Sequence, residues 1–295
     1  DDGIRAQPRS RGLGDVYKRQ MIYCVQNELL QWSLQSQCYM ACGMLYGIIS
    51  VSRRQATNLQ NEEKFRDLEH VHFSCDLGKI DQTIALIGNI KSLNKRLSGI
   101  VYCCGGLHDN PSREPKEWIG VHDHNKNFNL DSYFLLINSF LPELVERDEG
   151  FIVSTSSAGG FSNNCVMFQQ YKAPLLLSSL SIQHHLDMVN SQVKAYCLPV
   201  SSLFNEDQGY DKKLTLPLEN RIKYANKVVE ICTGQRDSED GEIIFSDNAT
   251  GSSYSEHIIQ IADSIKELTK LEEYHFGFDN LKRVNYFRTK GVTQR

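Results

Sequence analysis

Residues 71–104, VHFSCDLGKIDQTIALIGNIKSLNKRLSGIVYCC, hold a strand, a helix and a second strand in succession. Val71 to Cys75 is a short run rich in β-branched and aromatic residues, and it stops at Asp76. Lys79 to Leu97 reads as an amphipathic helix. Gly99 to Cys104 is apolar again. Two strands joined by a helix of this length form a parallel crossover, because a tight hairpin cannot connect parallel strands.

The same rhythm extends in both directions. Towards the N-terminus, Tyr46 to Ser52 is a buried strand, and Glu62 to Leu68 is a charged, helical stretch. Glu28 to Ala41 is a helix ended by Gly43, as glycine ends helices in the left-handed position. Towards the C-terminus, Phe128 to Arg147 is a long helix that Pro142 should bend or stop. Strands follow at Gly150–Ser154, Gln192–Leu198 and Glu242–Phe245, with helices at 173–190 and Asn220–Cys232 between them. Alternation of this kind predicts an α/β fold with a doubly wound parallel sheet covered on both faces.

Three segments follow from this pattern. Residues 1–20 are polar and basic and read as translated adapter or vector sequence outside the fold. Residues 21–251 make the α/β domain, and 252–295 a helical, charged extension. Met21 to Val25 is then only a remnant of a first strand, so the first strand–helix unit is expected to be incomplete and the sheet to have an unpaired buried edge.

Composition narrows the function. The formal net charge of −4 gives no basic excess for a nucleic-acid partner. No apolar run approaches the roughly 20 residues that span a bilayer. The nine cysteines are irregularly spaced with no CxxC, which suits reduced thiols in a cytoplasmic protein and no metal site. The histidine pairs His122/His124 and His184/His185 lack the i, i+4 spacing of a metal site and read as surface residues.

Several segments, in order, resemble the short-chain dehydrogenase/reductase family, over about residues 28 to 250. Arg53 and Arg54, after the 46–52 strand, stand where that family meets the adenosine ribose. Arginine there suits a 2′-phosphate, so the resemblance implies NADPH over NADH. Cys75-Asp76-Leu77 resembles the adenine-binding segment. Tyr102-Cys103-Cys104-Gly105, followed by Leu107-His108-Asp109, is similar to the turn of the C-factor-like branch. Asn129 resembles the active-site asparagine, Ser157 the catalytic serine and Lys172 the catalytic lysine. Pro199 stands for the proline near the nicotinamide. The resemblance implies a Rossmann-like domain that moves a hydride to or from a small carbonyl or alcohol, and a homo-oligomer.

Three departures bear on activity. No glycine-rich turn follows a first strand, and without one the backbone cannot approach a pyrophosphate closely. The family's tyrosine stands four residues before its lysine, and that position is Phe168, which has no proton to give. Tyr171, next to Lys172, points to a different helix face. Pro174 predicts a helix that starts near residue 172 and so separates Phe168 from Lys172. The expected activity is very weak or absent. A non-catalytic dinucleotide-binding or protein-interaction module, or a truncated gene product, are the other readings.

Overall fold

A computed structural model describes residues 19–24, 46–53, 70–105, 114–157, 166–200 and 218–234. The chain divides into two compact units, 1–252 and 253–295, and every described residue lies in the first.

Among the described residues six strands form one sheet: β1 Arg19–Cys24, β2 Tyr46–Ser52, β3 His70–Ser74, β4 Leu97–Tyr102, β5 Phe151–Ser157 and β6 Lys194–Val200. All pairings are parallel, and the spatial order is β3-β2-β1-β4-β5-β6. The chain steps outward from β1 to β3, then crosses to the other side of β1 and continues through β6. This is the Rossmann-like doubly wound order, with its reversal between β1 and β4. Every residue of β4 and β5 is buried, as a parallel sheet covered on both faces requires.

The first strand is present, which corrects the expectation drawn from the sequence. β1 begins at Arg19, inside the segment set apart as adapter-like, and pairs on both sides: Met21 lies opposite Ile48 of β2 and Gly99 of β4. The sheet therefore has no gap at its centre. RQMIYC is too short and too mixed for periodicity to register, and its neighbours in the sheet supply what the local signal lacks. The helix expected at 28–41, the charged helix at 62–68 and the strand at 242–245 lie outside the described residues.

The described residues hold five α-helices: α1 Ile80–Ser92, α2 Pro115–Lys126, α3 Ser132–Arg147, α4 Val166–Met188 and α5 Leu218–Thr233. α1 stops five residues earlier than predicted, where Asn94 turns left-handed at φ 50°. α3 runs on to Arg147 with Pro142 inside it, so that proline does not end the helix. Tyr133, Leu136, Ile137, Phe140 and Leu144 of α3 are buried against Ile100, Tyr102 and Ile152 of the sheet and Leu86 of α1. Each such side chain contributes about 1.5–3 kcal/mol on burial. That packing outweighs the roughly 3 kcal/mol that an interior proline costs a helix.

Deleting Arg19–Cys24 exposes the facing edges of β2 and β4 and removes the strand that joins them among the described residues. The shortened chain is expected to lose its cooperative thermal transition, followed by far-UV circular dichroism. A retained sharp transition near the parent midpoint would show that β1 is dispensable.

Candidate functional site

The crevice of a doubly wound sheet opens at the carboxyl ends of the strands, beside the reversal of strand order. Here that place is the end of β4, where Tyr102 is followed by Cys103-Cys104-Gly105. Alternation along the strand sends neighbouring side chains to opposite faces. The Tyr102 ring meets Tyr133 of α3 edge-on, with centroids 5.3 Å apart. Cys103, on the other face, lies 3.1 Å from the Tyr224 hydroxyl of α5. Both cysteines are buried and in no disulfide.

Asn129 reaches this place through an irregular helix. α2 passes into a π-helical turn, Asn127–Asp131, and then into α3. A π turn breaks the regular i→i−4 ladder, and such turns cluster at functional sites. Two side chains donate to carbonyls of this stretch. Asn129 Nδ2 donates to the Asn125 carbonyl at 2.8 Å, and the Tyr102 hydroxyl donates to the Phe128 carbonyl at 2.7 Å. Asn129 is 0% exposed and sits in mid-run, so it does not cap a helix. α2 itself was not anticipated: PKEWIGVHDHNK is largely exposed and holds Gly120, and the one signal was Pro115 at the first helical position.

Lys172 meets Asn129 at Gly105. A Cβ added to Gly105 would fall 2.1 Å from Lys172 Nζ and 3.4 Å from Asn129 Oδ1, so only glycine allows the lysine to lie there. The ammonium donates to the Cys104 carbonyl at 2.8 Å and the Thr155 carbonyl at 3.3 Å, at the ends of β4 and β5. Lys172 is 3% exposed and makes no ion pair among the described residues. Burial lowers its pKa from the usual lysine value to about 8, against the opposing influence of the Cys104, Cys197 and Cys103 thiols.

The structure corrects the helix that carries this lysine. α4 starts at Val166, not near 172, and holds Phe168, Tyr171, Lys172 and Pro174 in one continuous run. Leu175 and Leu176 are fully buried just after the proline, and Ser156 Oγ donates to the Lys172 carbonyl at 2.6 Å. These contacts hold the helix across Pro174. Phe168 therefore stands one turn before Lys172 in the same helix; its side chain lies outside the described residues.

Tyr171 turns away from Lys172. Its hydroxyl is 2.7 Å from His122 Nδ1, and the His122 ring stacks on Trp118 of α2 with centroids 4.8 Å apart and planes 9° apart. Tyr171 is 1% exposed, and burial, with the Asp123 charge second, raises its pKa. A phenol so placed ties α4 to α2 and is a poor proton donor. His122 and His124 are thus packing residues: His124 lies against Gly78, where a Cβ would come within 2.2 Å of its ring. Ser157 ends β5 opposite Val200, buried at the same crevice. No group of three or more His, Cys, Asp or Glu suited to a metal occurs among the described residues.

The nucleotide-side candidates fare unevenly. Asp76 Oδ1 accepts from the Gly78 amide at 3.0 Å, so this carboxylate closes the turn between β3 and α1. The Leu77 side chain is 0% exposed in the core, which leaves only its main chain for a ligand. The Arg53 carbonyl accepts from Ser74 Oγ at 2.9 Å at the end of β2, and Arg54 lies outside the described residues. Pro199 is inside β6, opposite Ser156, and not after the strand as expected. β6 is the last strand among those described, and an edge strand tolerates a residue that lacks an N–H. Between β1 and β2 the sequence holds a single glycine, Gly43, and that segment lies outside the described residues.

Two features were not foreseen. One is Tyr224, because nothing in the α5 sequence distinguishes a core tyrosine from one at a crevice. The other is a polar group across β2 and β3, where Ser50 Oγ lies 2.7 Å from His70 Nε2 and 2.8 Å from His72 Nδ1. Burial, with His72 second, lowers the His70 pKa to about 4.

Comparison with known proteins agrees with the fold. Residues 37–174 match the family model described as short chain dehydrogenase. No curated protein matches the chain. Among solved structures, a tyrosine-to-phenylalanine variant of ElxO with NADPH bound is similar, with a TM-score of 0.60 and 13% identity over 78% of this chain and 97% of that one. The bulky-bulky ketone specific alcohol dehydrogenase from Comamonas testosteroni gives 0.65 and 10% over 88% and 97%. A short-chain dehydrogenase from Novosphingobium aromaticivorans gives 0.62 and 15% over 93% and 96%. No helix among the described residues is long and apolar enough to cross a membrane.

The lowered pKa of Lys172 makes stability depend on pH. The folded state releases this proton near pH 8, whereas the unfolded chain keeps it to about 10.4, so the unfolded state binds more protons in between. Lys172 therefore destabilises the fold below pH 8, and that cost disappears as the pH rises towards 10.4. Urea melts of the native chain and Lys172→Met are expected to differ by a pH-dependent part of roughly 3 kcal/mol across this window. A difference constant with pH would mean that the amine is not desolvated.

Proposed function

We propose that the chain is a short-chain dehydrogenase/reductase that binds a nicotinamide dinucleotide, NADPH in preference to NADH, and turns over small carbonyl or alcohol substrates very weakly. The observation that carries this reading is the convergence of Lys172 and Asn129 on Gly105 at the strand-order reversal. A buried amine, a buried amide and a glycine-only approach suit the ribose–nicotinamide end of such a cofactor, which supplies hydride chemistry when bound. Lys172 would hold the ribose hydroxyls with its ammonium, and Ser157 would donate to the substrate oxygen. Arg53 and Arg54 would meet a 2′-phosphate with paired hydrogen bonds. Cys103, Cys104 and Gly105 would form the floor, in the manner of the C-factor-like branch, and Asp76 and Pro199 would border the two ends.

The weakness follows from the proton. Phe168 has none to give, and the Tyr171 hydroxyl is committed to His122. The scarcity of glycine between β1 and β2 also weakens the pyrophosphate end. The buried position of Tyr171 favours one other reading, a non-catalytic dinucleotide-binding module. The similar ElxO variant, described with NADPH bound, carries a phenylalanine in place of a tyrosine and fits either reading. Buried cysteines outside any disulfide suit a reducing, cytoplasmic setting. A homo-oligomer is part of the same proposal; nucleic acid and membrane are not partners in it.

Fluorescence titration with NADPH beside NADH tests the first part. Micromolar binding, tighter for NADPH, is expected. A folded protein that binds neither would end the proposal. Phe168→Tyr is expected to raise reduction of small aldehydes by about 10²- to 10⁴-fold, the usual worth of a placed general acid. Binding without any such rise would select the non-catalytic reading.

A further inference from the structure

Lys172 approaches the ends of β4 and β5 from α4. A phenol approaches the same place from α5. The Tyr224 hydroxyl lies 2.5 Å from Thr155 Oγ1 and 3.1 Å from Cys103 Sγ, and Thr155 Oγ1 lies 3.5 Å from that sulfur. These three groups form a closed triangle between neighbouring strands, and all are buried. Cys103 and Thr155 are the next positions after the paired residues Tyr102 and Ser154. The strands are no longer paired there, and the gap between them is where Lys172 Nζ finds its acceptors. Those acceptors are the carbonyl of Thr155 itself and that of Cys104, adjacent to Cys103.

We propose that Tyr224 is a positioning residue: by tying Thr155 to Cys103 across the parting strands, its hydroxyl sets the spacing of the two carbonyls that hold the Lys172 ammonium. The inference concerns the lysine proposed to bind the cofactor, but the tie is a property of the protein alone. The Thr155 side chain bonds Tyr224 on one side of the sheet while its carbonyl bonds Lys172, so one residue carries the link. Without the phenol hydroxyl nothing in the triangle spans the strands except the long Thr155–Cys103 contact, and the carbonyls separate. The ammonium then loses acceptors in a place with no carboxylate among the described residues. The other titratable groups around it are the thiols of Cys103 and Cys104 on β4 and of Cys197 on β6. Burial raises the Cys197 thiol to about 11.

Removing the hydroxyl disfavours the charged lysine, so its midpoint moves down. The test reads Lys172 directly, by the pH dependence of its acetylation with acetic anhydride on the full chain, mapped by mass spectrometry. Tyr224→Phe is expected to move the half-reactive pH of Lys172 down by roughly one unit, the scale of one lost hydrogen bond. Thr155→Val should move it likewise, Thr155→Ser should leave it in place, and the double variant Tyr224→Phe with Thr155→Val should move it no further than either alone. An unmoved midpoint in folded Tyr224→Phe, or equal shifts for Thr155→Val and Thr155→Ser, overturns the proposal. Should Tyr224→Phe not fold, the valine–serine comparison at 155 decides it. Failure of NADPH to bind would sink the functional reading above but leave this titration intact.

Discussion

The ammonium of Lys172, set between the ends of β4 and β5, is the constraint around which the crevice is organised. A charge taken out of water needs either a counter-charge or a set of polar partners with fixed geometry. Here the partners are main-chain carbonyls, which cannot be supplied by a flexible side chain and so depend on the strands themselves. Position 105 must be glycine because the amine lies against its Cα. α4 must run unbroken through Pro174, because the lysine is anchored through its own carbonyl by Ser156 as well as through its amine.

The π turn on the opposite wall has a similar logic. An ordinary helix from Pro115 to Arg147 would use the carbonyls of Asn125 and Phe128 internally. Here, where the helix passes through the π turn, Asn129 and Tyr102 also donate to them. Tyr102 also lies within 2.6 Å of Ser132 Oγ. The helix is thus bolted to β4 at the level of Gly105, and the irregularity costs no unpaired main-chain group at those two positions. The Lys126–Asp131 ion pair, 3.4 Å across the turn, is partly exposed and adds little.

Much of this was legible in the sequence, and the exceptions have physical causes. β2 was read at its observed limits because YGIISVS is apolar and bounded by polar residues. The βαβ unit from β3 to β4 was read for the same reason. β1 was undervalued because a central strand draws its stability from two neighbours distant in sequence, and its own six residues carry little signal. α2 was missed because an exposed helix needs no apolar stripe. Pro174 misled because local propensity forbids what burial of Leu175 and Leu176 permits. At the site, Asn129, Ser157 and Lys172 could be placed from their segments, whereas the commitment of Tyr171 to His122 could not. Adjacent positions on a helix are about 100° apart, and which one faces a partner depends on where that partner lies.

The same geometry bears on how the fold accommodates a buried lysine here. Replacing a buried charge by an apolar group of similar volume is often neutral or stabilising. A lysine with no remaining role would therefore be under no energetic restraint against becoming methionine or leucine. Lys172 instead occupies a place shaped for an amine: a glycine cleared for its head, two carbonyls turned towards it and a phenol bracing one of them from behind. The hydrogen bonds that hold the ammonium run to the carbonyls of Cys104 and Thr155, at the ends of two neighbouring strands. An amine held by two main-chain carbonyls is fixed by the sheet itself, and it keeps its place for as long as β4 and β5 keep theirs.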